Sequence, residues 1–182
     1  MFRYMMQTMN RIFLIGYMGS GKTTVGQLLA VRLGYRFIDM DKYIEEKQLR
    51  TVHQIFIEHG EPKFRLMEQQ CLHEIAAINH VVISTGGGAP CFFDNIKYMN
   101  NHGVSFYLKL SPEQLAERLE ESHANKRPLL AGRKGEELLH FIREGLTIRE
   151  PFYSQASFSV TGEIEDTVSR IYDLVDTNKP ME

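Results

Sequence analysis

The chain has 182 residues and a mass of 21.1 kDa, is 43% hydrophobic and 24% charged, and carries a net charge of −2 with a pI near 6.4. That length holds one domain with a real core and leaves little room for a second. The charge balance argues against a basic nucleic-acid binder, and no apolar stretch approaches the roughly 18 residues of a membrane span.

In chain order, residues 1–8 read as a frayed extension. RIFLI (11–15) is a short apolar run that ends in glycine, the pattern of a buried parallel strand. It is too short for a signal peptide, so a soluble cytoplasmic protein is expected. Val25, Leu28, Leu29 and Leu33 recur at helical spacing from Lys22 onward, and Gly34 ends that helix. RFIDM (36–40) predicts a second strand with two aspartates at its end. Helices are expected over 41–46 and 51–58, and a longer one from Glu61-Pro62 to about Asn79, with proline in its first turn. VVIS (81–84) reads as a strand, followed by TGGGAP, a helix near 92–101 and a strand over 104–110. Ser111-Pro112-Glu113 opens the next helix. SHANKRPLLAGRKGEE (122–137) is polar and broken by proline and glycine, and it reads as a mobile lid over about 122–135. A helix over 136–149, a strand at SFSV (157–160) and a helix over 163–176 follow. This alternation predicts an α/β fold: a five-stranded parallel sheet with helices on both faces, in a single domain covering 1–182. Cys71 and Cys91 form no C-x-x-C pair and read as reduced thiols, and the seven histidines show no metal-ligand spacing.

GYMGSGKTT (16–24) satisfies G-x-x-x-x-G-K-[ST] in full, directly after a strand and before a helix. In such a loop the backbone N–H groups of Gly19, Ser20, Gly21 and the residues after them converge on phosphate oxygens at the positive end of the helix. Lys22 brings a charge to the β- and γ-phosphates of ATP, Thr23 offers a hydroxyl to Mg²⁺, and Thr24 beside it is a further candidate for ATP binding. A GTP-dependent switch would carry D-x-x-G and N-K-x-D, and neither occurs.

The loop does not name the phosphoryl acceptor, but four further features fall near the carboxyl ends of the strands, where open α/β sheets bind ligands. Asp39 and Asp41 project to one side after the second strand; helix capping accounts for one of them better than for both. In GEPKFRLME (60–68), Phe64, Arg65 and Glu68 share a helix face. From that stretch alone a surface ion pair is the simpler reading, although an arginine beside an aromatic also suits a carboxylate ligand. Gly86-Gly87-Gly88 is costly in chain entropy and points to something that must approach the backbone closely. Arg127 in the lid segment and Arg149 in REPFY are available to neutralise phosphate or carboxylate charge.

GYMGSGKTT, FIDMD, IFIEHGEPKFRLME, STGGGAP, RPLL and REPFY together resemble the shikimate kinases, P-loop enzymes of the nucleoside-monophosphate-kinase fold, over about Asn10 to Val175. The resemblance implies Mg²⁺-ATP and shikimate as substrates and a monomer with no nucleic-acid or membrane partner. Residue by residue, it implies that Lys22, Arg118 and Arg127 contact ATP and that Thr23 and Asp39 serve Mg²⁺, the latter through water. Asp41 matches the residue on the ring hydroxyls, and Arg65 and Arg149 match the pair on the carboxylate. Gly86, Gly87 and Gly88 match the substrate-lining backbone, Phe56 and Phe64 the pocket walls, and Glu68 an orienting group. Lys22, Asp41 and Arg127 are the expected catalytic residues. Against the family pattern, eight residues separate Arg118 from Arg127, a slightly long lid segment, and TGEIEDTV after the last strand lacks the arginine and proline often found there. Another kinase of this fold acting on gluconate, or a nucleotide-binding regulator without transfer activity, are the alternative readings.

Overall fold

A computed structural model describes residues 10–121, 130 and 132–175. Five strands form one parallel sheet: β1 (Arg11–Ile15), β2 (Arg36–Asp39), β3 (Val81–Ser84), β4 (Val104–Leu108) and β5 (Phe158–Val160), in the order β2-β3-β1-β4-β5. β1 is therefore central, with Phe13 opposite Ile83 on one side and Ser105 on the other. Its side chains alternate as the pleat requires. Phe13 and Ile15 join one core layer, and Ile12 and Leu14 join the other. Both faces of β1 are thus buried, which explains a run with no polar alternation.

Among the described residues seven α-helices cover the sheet: α1 (Lys22–Leu33), α2 (Met40–Gln48), α3 (Val52–Ile75), α4 (Asn95–His102), α5 (Pro112–Glu121), α6 (Gly135–Tyr153) and α7 (Ile164–Val175). The Ile12/Leu14 layer is closed by Val25 and Leu29 of α1 and by Val168, Ile171 and Val175 of α7. Each such buried side chain contributes about 1.5–3 kcal/mol over its exposed state. The opposite layer takes Leu72 and Ile75 from α3, Met99 from α4, and Leu138 and Ile142 from α6.

The expected α/β sheet is present, with three local corrections. The two helices expected over 51–58 and 61–79 are the two arms of α3, which meet at Gly60, whose φ of 73° and ψ of 168° are not helical, and the second arm ends at Ile75 rather than Asn79. Pro62 sits in the first turn after that break, where its missing N–H has no partner to lose. Met40 belongs to α2 rather than to β2, because Asp39 caps α2 by accepting from the Lys42 amide. β4 ends at Leu108, two residues early, and a short 3₁₀ turn (Ala89–Cys91) follows the glycines. Residues 1–8 and nearly all of the expected lid, Arg127 included, lie outside the described residues. Among those described, no helix is long and apolar enough to cross a membrane.

Candidate active site

The central strand delivers the phosphate loop to the carboxyl edge of the sheet. Gly16, Gly19 and Gly21 all have positive φ, and Gly21 caps α1 with no side chain over its first turn. That leaves the helix N-terminus open to an anion. The Lys22 ammonium is buried and donates to Gly16 O at 2.8 Å and Tyr17 O at 2.9 Å, so it is held by the loop it serves. Next to it, Thr23 Oγ1 donates to Asp39 Oδ2 at 2.8 Å. Asp39 therefore has two jobs: one oxygen caps α2 and the other meets the phosphate-loop hydroxyl.

A cleft of about 900 Å³ runs from this loop across the end of β3. On the β1–β3 side it is lined by Asp41, Arg65, Glu68, Arg149 and the three glycines, and by Phe56 and Phe64. The reason for three glycines is space rather than backbone angle. A Cβ on Gly86 would lie 2.8 Å from both Asp41 Oδ1 and Glu68 Oε1, and one on Gly88 would lie 2.6 Å and 2.7 Å from the two terminal nitrogens of Arg65. Gly87 faces Arg149 Nη1 at 3.6 Å. The ligand-like groups that approach this backbone are the site's own charged side chains.

Arg65 is 9% exposed, which overturns the surface-ion-pair reading. It donates to Glu68 Oε2 at 2.7 Å and, through Nε and Nη2, to Glu61 Oε1 at 3.2 Å and 3.0 Å. Its guanidinium lies over the Phe92 ring at 4.1 Å, with Phe64 at 5.2 Å and Phe56 at 5.7 Å. The Phe56 and Phe64 rings touch, 4.4 Å apart at their centroids. Arg149 sits over the Tyr17 ring at 5.0 Å. Arg118 reaches the other end of the cleft, beside Gly21 and Ile164, and donates to Glu163 Oε2 at 3.2 Å. Gly19, Gly21, Lys22, Thr23 and Thr24 line the cleft between the two ends, and Ser20 is buried beneath them.

Electrostatics follows from this crowding. Burial raises the Asp41 carboxyl above its usual range, Asp39 raises it further, and Lys22 opposes both. Burial pushes Glu68 up to about 7, although the Arg65 charge and hydrogen bond pull it down. Among the described residues no group of three or more His, Cys, Asp or Glu side chains gathers to hold a metal ion.

The family model for shikimate kinase matches residues 18–176, nearly the whole described fold. The chain belongs to the shikimate kinase family. It is 53% identical over 166 residues to the shikimate kinase of Parabacteroides distasonis, covering 91% of this chain and 95% of that protein. The crystal structure of shikimate kinase from Bacteroides thetaiotaomicron superposes with a TM-score of 0.87 at 45% identity, covering 91% of this chain and 98% of that one. Shikimate kinase from Acinetobacter baumannii, solved in complex with shikimate, gives 0.84 at 34% identity over 96% and 97% of the two chains.

Against the shikimate kinase pattern, the structure brings together every expected site residue that it describes. Sequence reasoning missed Phe92, Glu61 as a partner of Arg65, and Tyr17 and Tyr153 around Arg149. Phe92 gives no periodic signal because it sits between a 3₁₀ turn and α4, and only its place four residues after Gly88 marks it. Tyr153 closes the REPFY motif but reads from sequence as ordinary core.

Glu68 also makes stability depend on pH. In the folded protein it keeps its proton up to about pH 7, whereas the unfolded chain releases it near 4.5. The native state therefore binds more protons in between, and stability falls as pH rises through that window. Glu68→Gln removes this titration and still accepts from Arg65. The wild type is expected to lose stability relative to Glu68→Gln between pH 5 and pH 8, by at most on the order of 3 kcal/mol. Urea midpoints of both proteins at the two pH values check it; parallel curves would contradict the assignment.

Proposed function

We propose that the protein transfers the γ-phosphoryl group of ATP to the 3-hydroxyl of shikimate, giving shikimate 3-phosphate and ADP in the route to chorismate and the aromatic amino acids. The observation that carries this reading is the layout of charge around Gly86 to Gly88: Asp41 and Glu68 beside Gly86, Arg149 beside Gly87, Arg65 beside Gly88, and the phosphate loop alongside. A small acid bearing hydroxyls fits that polarity. Arg65 and Arg149 take its carboxylate, Asp41 its ring hydroxyls, Phe56 and Phe64 wall the ring, and the glycine backbone lies beneath it.

In transfer, the 3-hydroxyl oxygen forms a bond to the γ-phosphorus as the bond from phosphorus to the bridging oxygen of ADP breaks. The hydroxyl proton passes to Asp41, whose raised pKa makes it a better acceptor than an ordinary carboxylate. Lys22 leaves its loop carbonyls for the β- and γ-oxygens and stabilises the charge that builds on them. Thr23 and Asp39 together fit Mg²⁺, a hard cation that keeps most of its shell as phosphate oxygen and water and needs few protein oxygens. When bound, the ion neutralises phosphate charge. Arg118 and Glu163 border the space for the base, and Arg127 is the further arginine that the family resemblance assigns to ATP. The same reading is of a monomer in the cytoplasm.

The test is ADP release with Mg²⁺-ATP and no acceptor, shikimate or gluconate. Turnover with shikimate alone is expected; turnover with gluconate instead, or ATP binding without transfer to either, would overturn the reading. The glycines supply a finer check. Gly88→Ala drives a Cβ into a guanidinium already tied to Glu61 and Glu68, and such a displacement raises KM for shikimate by up to about a hundredfold. Gly87→Ala meets only ordinary contacts, at 3.5 Å and beyond, and is expected to raise KM far less. Equal effects of the two changes would mean that the Arg65 contact does not set acid binding.

A further inference from the structure

Tyr153 is fully buried at the end of α6, and its hydroxyl has a partner unusual for a core tyrosine. It donates to the carbonyl of Gly87 at 2.6 Å, and the Arg149 charge lies close enough to act on the same phenol. The oxygen thus gives its one proton to the middle glycine. Gly87 and Arg149 are cleft wall, and Arg149 Nη1 lies 3.6 Å from where a Gly87 Cβ would stand. One buried hydroxyl therefore anchors the wall peptide beside which Arg149 stands.

The ring that carries the hydroxyl is itself fixed. The Tyr107 ring packs against it at 5.0 Å, and the Tyr107 hydroxyl donates to Glu150, the neighbour of Arg149, at 2.6 Å. Tyr17 lies on the far side of the Arg149 guanidinium. Burial pushes the Tyr153 phenol well above its ordinary range, so it stays protonated and able to donate at every working pH. From this geometry we infer that Tyr153 is a positioning residue for acid binding: its hydroxyl holds the Gly87 peptide in the placement beside the Arg149 guanidinium that receives the substrate carboxylate. The inference rests on the shikimate reading above and adds to it a residue that itself touches neither substrate.

Tyr153→Phe keeps the ring and its packing and removes only the oxygen. With its anchor gone, the Gly87 peptide shifts from its place beside Arg149, and the loss of that buried hydrogen bond predicts a rise of about tenfold in KM for shikimate. The turnover number stays within about twofold and KM for ATP is unchanged, because no phosphate contact moves. Calorimetric titration of shikimate into the two proteins should show the same loss of affinity. A purely structural role would move KM for both substrates or depress kcat, and either result overturns the inference. So does a Tyr153→Phe enzyme indistinguishable from wild type, which would leave the parent reading intact. A wild-type enzyme that does not phosphorylate shikimate would sink both.

Discussion

Lys22→Ala is expected to lower kcat by about a thousandfold, the scale of removing a preorganised donor from a developing negative charge. KM for shikimate should change by less than about threefold, because the ammonium acts where phosphate charge accumulates and not where the acid binds. The loop survives the change. Its shape comes from the positive-φ glycines and from the start of α1, and the Gly16 and Tyr17 carbonyls that Lys22 engages lose a donor at a position open to the cleft. Steady-state kinetics with each substrate varied in turn, together with ADP affinity by calorimetry, separate the outcomes. A loss shared equally by kcat and shikimate affinity would place Lys22 in general architecture instead.

Arg65→Leu has the opposite signature. Shikimate binding should weaken by about a hundredfold, within the range for truncating one partner of a buried, hydrogen-bonded charge pair, while ATP affinity holds. A second consequence concerns Glu68, 1% exposed, for which Arg65 supplies both the largest opposing charge and a hydrogen bond. Without them its carboxyl rises further above 7 and stays protonated at neutral pH. The variant therefore escapes most of the 3–5 kcal/mol or so that a stranded buried charge would cost. Adding Glu68→Gln to Arg65→Leu should remove the small remaining stability loss without restoring KM. Recovery of both together would mean that the acid-binding loss came from a damaged fold.

The sheet and the phosphate half of the site were legible because they are written in local sequence. β1 is an apolar run against a glycine motif, and α1 begins and ends at the predicted residues, Lys22 and Leu33. The acceptor half was only partly legible. Arg65 and Glu68 announce themselves as a helical pair, but their burial depends on Phe92 and on the glycine backbone arriving from β3, which no window along the chain contains. The break at Gly60 was legible as a glycine followed closely by proline, but whether the chain there leaves the axis or merely kinks is set by contacts outside that window. Tyr153 was hidden for a related reason: a buried tyrosine looks like packing until the partner of its hydroxyl is known.

The three glycines also limit how this protein can change over generations. Every single-base change of a glycine codon that alters the residue gives one that carries a Cβ, or a stop. At positions 86 and 88 any such change sets a carbon within 3.0 Å of a carboxylate or a guanidinium that the site cannot spare. Position 87 alone leaves room, and only for the smallest side chain. Drift through this turn is thus confined to one residue and one replacement, and the two outer positions stay closed unless Asp41, Glu68 or Arg65 changes at the same time.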